Sequence, residues 1–471
     1  MNQGEKDFYE EDFSYVVNQY MDALKEGRTP YFDVHEFEYL IEHFIEVGES
    51  LTAIDVAEIA QYQHPTSINI KLKKASALLS NGEVNEGMSL LGDVRLLEPQ
   101  NSDVYMLAGY GYILRDELDK SEWAFEEAIE LSADDLEEVF FKIGSTFSHL
   151  NIFDYAEKYL ERGYQVNPKN DSILFERAFC LEKLDEFQKS ADLYEEFLNI
   201  DPFSTSAWYN LGIVYNQLQE YDKAIEAYDY AIALDEESYS SIFNKANTLT
   251  NMGSFKAAIK TYKEYLEYDT NSEDAYLYMA DCYIQLNDNY QALVNYQKAL
   301  KINTGNAEAW FGCALVMEAE DKLDEALVFA KKATRLDAAK QEYWQQLAHI
   351  GNLLNLTDER IAALERLTSL YPESVHYWLD YADTLFSNNQ QKEAVDQLIE
   401  AKAANGKSAS ILYHLAAYLF EMGEEHKAVK YFEEGLMLDF NSHTDTFQVS
   451  AKARESERIK RLIKKFQLSR I

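Results

Sequence analysis

The stretch Ala207–Glu237 reads AWYNLGIVYNQLQEYDKAIEAYDYAIALDEE. It holds two helical segments and sits inside a fixed period. The six prolines, Pro30, Pro65, Pro99, Pro168, Pro202 and Pro372, are separated by 35, 34, 69, 34 and 170 residues, each gap close to a multiple of 34. A period of that size is the mark of a stacked repeat array. Composition points the same way: 6 Pro and 18 Gly in 471 residues leave few breakers and favour helix. A hydrophobic content of 47% is ample for a core, despite 83 Asp and Glu against 43 Lys and Arg.

The unit resembles the tetratricopeptide repeat, a pair of antiparallel helices in 34 residues. Trp208, Leu211, Gly212 and Tyr215 match that family's first-helix pattern, and Ala224, Tyr228 and Ala231 its second. Sliding the frame gives twelve repeats starting at 34, 68, 102, 137, 171, 205, 239, 273, 307, 341, 375 and 409, the third 35 residues long. The resemblance implies an all-α fold, a right-handed α-solenoid of antiparallel helix pairs wound into a superhelix. The expected division is an N-terminal capping helix in 1–33, repeats over 34–442 and a basic C-terminal capping helix in 443–471.

Each slot of the frame has a physical demand. Slot 8 lies where the paired helices approach most closely, and eleven of the twelve repeats place Gly or Ala there, Ile41 being the exception. Slot 20 faces it from the second helix and is Ala, Gly or Ser everywhere but Arg360. Slot 4 takes a large apolar residue that fills the gap to the next unit, as Phe37, Tyr105, Phe140, Trp208, Trp310, Trp344 and Trp378 do; Lys71 departs. Five of the six prolines stand at slot 32, where the second helix ends. The second repeat, with Lys71, and the tenth, with Gly351 and Arg360, are the weak units. The tenth is read as repeat drift, with a distorted hairpin or hinge as the other reading.

The array ends need covers, because a repeat cannot bury its apolar face alone. Phe13, Val16, Val17, Tyr20, Met21 and Leu24 are spaced for one helix against the first repeat. At the other end, 443–471 carries eight basic and three acidic residues, in a chain of net charge −40. Ile459, Leu462, Ile463 and Phe466 form one helical stripe among Lys460, Arg461, Lys464 and Lys465. A capping helix is the leading reading; folding back on the acidic array, pairing with a neighbouring molecule and lying on an anionic membrane are the others.

Several chemistries are disfavoured. The charge repels nucleic-acid phosphates. Cys180, Cys282 and Cys313 are too few and scattered for a disulfide framework or zinc site. Ala401–Ser408, AKAANGKS, mimics a relaxed phosphate loop but closes a helical repeat instead of following a strand. Gly109 and Gly111 fall inside a first helix, and His35 and His43 beside Glu36, Glu38 and Glu42 read as helix surface. The expectation is no enzyme, no cofactor and no metal. The acidic amino terminus lacks a secretory pattern and no apolar run spans a bilayer, so the expected compartment is cytoplasmic.

In the family, first helices line a concave groove through slots 2, 5, 6, 9, 12 and 13. Over twelve repeats those slots hold fifteen Asp or Glu and three Lys, so the groove favours neutral-to-basic ligands. The sixth and seventh repeats carry no charge there. Their slots include Tyr209, Asn210 and Asn216, then Phe243, Asn244, Asn247 and Asn251. Asparagine both donates and accepts, which suits an extended peptide backbone. Phe141, Phe175 and Phe311 continue the slot 5 aromatic line of Tyr209 and Phe243 as anchors. Tyr and Asn at these slots are also the family's ordinary sequence. The two-carboxylate clamp by which some family members hold chaperone tails is incomplete, since Tyr209, Phe243, Asp274 and Tyr278 replace its cations.

The expected function is therefore a non-enzymatic protein–protein interaction scaffold that binds an extended partner segment in its groove. The alternatives are a chaperone for a secreted or aggregation-prone client and a peptide-sensing regulator.

Overall fold

The computed structural model describes residues 15–132, 135–406 and 408–469. These residues are helical with no strand, and they divide into two compact units that meet in sequence at Glu236 and Glu237. The first unit holds a helix over 15–25 and six antiparallel helix pairs, from Val34–Glu46 with Ser50–Gln63 to Thr205–Gln217 with Tyr221–Leu234. The second holds six further pairs, from Tyr239–Asn251 with Phe255–Tyr268 to Ala409–Glu421 with Glu425–Leu438, then short helices and a final one over Glu457–Ser469. Each unit is an all-α solenoid in which every helix packs on its partner.

Local chemistry sets the helix ends. Asp33, Ser67, Asn101, Asn170, Ser204, Ser272 and Asn306 each precede a first helix and accept a backbone N–H with the side chain. Asp33 and Glu36 complete a reciprocal capping box. Slot 15, two or three residues past the end of each first helix, has positive φ in all twelve repeats: Gly48, Gly82, Gly253 and Gly423, seven Asn or Asp, and Gln219. The left-handed turn reverses the chain into the second helix, and Gly, Asn and Asp tolerate it best.

Small residues at slot 8 admit a large side chain from slot 24 of the second helix. A Cβ added to Gly109, Gly144 or Gly212 would lie 2.4–2.5 Å from Phe125, Leu160 or Tyr228. Slot 20 also reaches slot 8: Ser190 Oγ donates to the Ala178 carbonyl at 2.7 Å. The slot 4 residue does more than fill a gap. The indole N–H of Trp208, Trp310, Trp344 and Trp378 donates at 2.8–3.0 Å to the carbonyl of slot 32 in the preceding repeat, and the Tyr105 hydroxyl does so at 3.1 Å. The turn between repeats is thereby fastened to the next first helix.

The tenth repeat forms an ordinary pair, Gln341–Leu353 with Thr357–Leu370. Arg360 does not disrupt it, because its guanidinium reaches Asn352 and, at 3.3 Å, Asp380.

Further helices pack against the first and the last repeat. The helix over 15–25 buries Val16, Tyr20 and Ala23 on the first repeat, with the Tyr20 and Phe44 rings 5.8 Å apart. Met21 and Leu24, expected on that face, point outward at 39% and 46% exposure, because the 16, 20, 23 spacing sets the buried stripe. Phe13 lies outside the described residues. In the final helix Ile459 is fully buried, and Leu462, Ile463 and Phe466 pack on the core of the last repeats. Cations of this helix and of the short helix Ala451–Glu455 before it meet the acidic last repeat: Lys452 with Glu421 at 3.2 Å, Arg458 with Glu425 at 3.8 Å and Lys465 with Glu433 at 4.0 Å. Exposed pairs of this kind contribute about 0–1 kcal/mol each, so the apolar stripe holds the helix down.

Candidate functional site

Side chains at slots 2, 5, 6, 9, 12 and 13 of the first helices share one face of each unit. In the first unit Phe141, Phe175, Tyr209, Asn210 and Asn216 are all half-buried there. Their rings lean on the second helices. Phe175 meets Tyr194 edge-on at 5.6 Å and Phe197 at 5.4 Å, and Tyr209 lies 6.2 Å from Tyr228. Asn210 Nδ2 donates to the Tyr194 hydroxyl at 3.1 Å.

In the second unit the rings also meet the first helix of the next repeat, at Tyr278 and Tyr343. Phe243 packs on Tyr262, Tyr265 and Tyr278 at 5.0–6.0 Å, and Phe311 on Tyr343 at 4.8 Å. Asn247 Oδ1 accepts from the Tyr262 hydroxyl at 2.6 Å. One end of Asn210 and one end of Asn247 are thus committed to a buried tyrosine. Each amide thereby spends one of the four hydrogen bonds that its residue type can make. Asn244 is half-buried and Asn251 exposed on the same helix.

Asn247 and Asn251 come together with Thr250, Tyr262, Tyr278 and Asp281 around a cavity of about 230 Å³ beside Phe243. Asp281 accepts from the Tyr296 hydroxyl at 2.5 Å, while burial raises its carboxyl above the usual carboxylate range. Of the slot 24 tyrosines the sequence reading names only Tyr228, as part of the repeat pattern. The available signal was Tyr194, Tyr228, Tyr262 and Tyr296 at a spacing of 34 opposite polar first-helix residues.

A second and larger space lies on the first-helix face of the opening repeats, a cavity of about 530 Å³ bordered by Glu38, Glu42, Glu46 and Asp103. These positions count among the fifteen acidic groove residues, but nothing in their spacing marked them out.

Several other ionic and reactive groups are engaged in the array. Lys158 pairs with Glu122, and Arg162 with Glu126, across neighbouring second helices. The bond from Arg162 holds the Glu126 carboxyl below the usual range. Burial pushes the Cys180 and Cys313 thiols up to about 12. Residues 401–405 are the last turn of the helix Gln391–Asn405, and Asn405 donates to the Pro372 carbonyl at 2.8 Å. Lys407 of the loop-like stretch lies outside the described residues. Among the described residues, no group of three or more His, Cys, Asp or Glu is placed to hold a metal ion, and no helix is long and apolar enough to cross a membrane.

The family's sequence profiles for the tetratricopeptide repeat match residues 205–238, 239–272, 274–303 and 409–442. This chain is a tetratricopeptide repeat protein. Similar solved structures include a tetratricopeptide repeat protein from Parabacteroides merdae ATCC 43184, 20% identical, covering 53% of this chain and 98% of that one with a TM-score of 0.40. Another is YrrB, described as a repeat protein with an unusual peptide-binding site, 17% identical over 40% of this chain and 96% of its own, TM-score 0.34. A third is MamA from Desulfovibrio magneticus RS-1, 14% identical over 36% of this chain and 96% of its own, TM-score 0.35. No curated protein matches the chain.

Proposed function

We propose that this tetratricopeptide repeat protein is a non-enzymatic scaffold that grips an extended, neutral-to-basic segment of a partner protein along its first-helix faces. The helix over 15–25 and the segment from 443 onward act as covers that keep the outermost repeats folded. The observation that carries this reading is the cavity at Asn247, Asn251 and Asp281 beside the Phe243 ring. It joins an aromatic anchor, the Asn247 and Asn251 amides and the half-buried Asp281 carboxyl, which suits a peptide group followed by a donor side chain. The acidic surround steers basic segments toward it and makes association faster at low salt.

The test is affinity capture from source lysate with the full chain, wild type beside a Phe243→Ala, Asn251→Ala variant, at two salt concentrations and read by mass spectrometry. The expected result is a specific partner that the variant loses while keeping wild-type helicity. Undiminished capture by the folded variant removes the assignment to this cavity.

A further inference from the structure

We infer that the first-helix face of the opening repeats, over Val34–Glu46, Ile68–Ser80 and Ser102–Ile113, binds a peptide segment in which a lysine or arginine stands next to a medium-sized apolar side chain. The inference rests on the scaffold reading and adds a second contact point with its own chemistry.

The cavity of about 530 Å³ on this face falls within the range of about 300–1,000 Å³ usual for ligand pockets. Its floor is apolar: Leu72 is buried, and Ile45, Met106 and Leu107 are half-buried. Its border is acidic. Glu42 already has a partner in Lys73, and the other lysine on the lining, Lys142, is held by Glu138 at 2.6 Å. Glu38, Glu46 and Asp103 form no ion pair with lysine or arginine among the described residues. Glu38 is the most committed of the three. Its side chain is 17% exposed, Oε2 lies 3.3 Å from His35 Nδ1, and Oε1 is buried without a hydrogen-bond partner among the described residues.

Glu46 and Asp103 are exposed and supply the charge that a ligand cation meets, and a turn of the Glu38 carboxylate toward that cation relieves the cost of its unpartnered buried oxygen. A lysine or arginine supplies the charge and the donors. Its aliphatic stem, with an apolar neighbour, covers the floor. The carboxylates do not converge on a metal site, since no such grouping occurs among the described residues, so the fitting cation is a side chain on a peptide.

The probes are three fluorescein-labelled, amidated octapeptides in a Gly-Ser host, carrying Leu–Lys, Leu–Glu or Ser–Lys at the centre, titrated by anisotropy into the full chain at low salt. Leu–Lys should bind at least roughly tenfold more tightly than either other peptide. Glu38→Gln with Asp103→Asn should cost roughly tenfold in that affinity. Lys73→Gln should strengthen binding, because it frees Glu42; a merely structural role for these residues would not produce that gain. Equal binding of Leu–Glu and Leu–Lys, or no binding of any peptide, overturns the inference. Leu–Lys binding that survives Glu38→Gln, Asp103→Asn but falls in Phe243→Ala, Asn251→Ala also overturns it while leaving the scaffold reading in place. Lysate capture that fails for wild type would sink the scaffold reading separately.

Discussion

In the sixth repeat Tyr215 stands at slot 11 and Ala224 at slot 20, both buried. In the tenth repeat the same slots hold Gly351 and Arg360. The bulk has moved from the first helix to the second, and both repeats still close the same hairpin. Gly351 explains how. A Cβ there would lie 3.2 Å from the Arg360 backbone nitrogen and 3.4 Å from the Leu356 carbonyl oxygen, so the two backbones approach where other repeats place a large side chain. Arg360 then leaves the helix interface sideways, toward Asn352 and Asp380. Arg360 and Asn352 also line two cavities of about 200 and 260 Å³, so the exchange fills space less completely than Tyr215 with Ala224. Slots 11 and 20 therefore obey a rule as a pair, and either partner alone is a poor guide.

The largest expected effect is Gly351→Leu, which restores the usual bulk at slot 11 while leaving Arg360 in place. Overpacking costs about 1–3 kcal/mol, and backbone atoms with little freedom to move place this variant at the upper end. Urea unfolding, with hydrogen exchange over 341–370, should show a destabilised tenth repeat. Unchanged protection there would break the paired-slot account.

Next in size is Gly212→Val in the sixth repeat. Its Cβ would meet the Tyr228 ring at 2.5 Å, but a ring can shift where a backbone cannot. The seventh repeat already carries Ala246 and Tyr262 at these slots. Gly212→Ala should be near neutral, because the gain in helix propensity of about 1 kcal/mol offsets the shift. Valine should cost about 1–3 kcal/mol by thermal unfolding. Equal stability of the two variants would show that Tyr228 does not fill slot 8.

The same contrast shows what was legible in the sequence. Period, helix pairing and the slot 8 rule were readable because each is a one-residue demand repeated twelve times. Slot 4 was readable as bulk, but not as the indole that donates to the preceding slot 32 carbonyl, because side-chain direction is invisible in a pattern of residue types. Asn210 and Asn247 were read as peptide-facing. Part of that capacity belongs to Tyr194 and Tyr262, and no spacing argument shows how far a hydroxyl on a second helix reaches. Met21 and Leu24 were phased to the core by hydrophobicity alone, where a small residue, Ala23, takes the contact.

The smallest effect is the most discriminating. Arg360→Ala brings slot 20 to the ordinary small residue. The side chain is 24% exposed, and its ion pair with Asp380, at 3.3 Å, is itself partly exposed. Partly exposed pairs contribute little, and the two cavities already border the group, so the single variant should stay within about 0.5 kcal/mol of wild type. In the Gly351→Leu background the same change should recover part of the lost stability, since a small residue at slot 20 frees space into which the leucine side chain can extend, as in the other repeats. The double-mutant cycle should then give a coupling above about 0.5 kcal/mol, the level at which contacting residues separate from independent ones. Additive effects would mean that Gly351 and Arg360 drifted separately, and that the tenth repeat is merely loose.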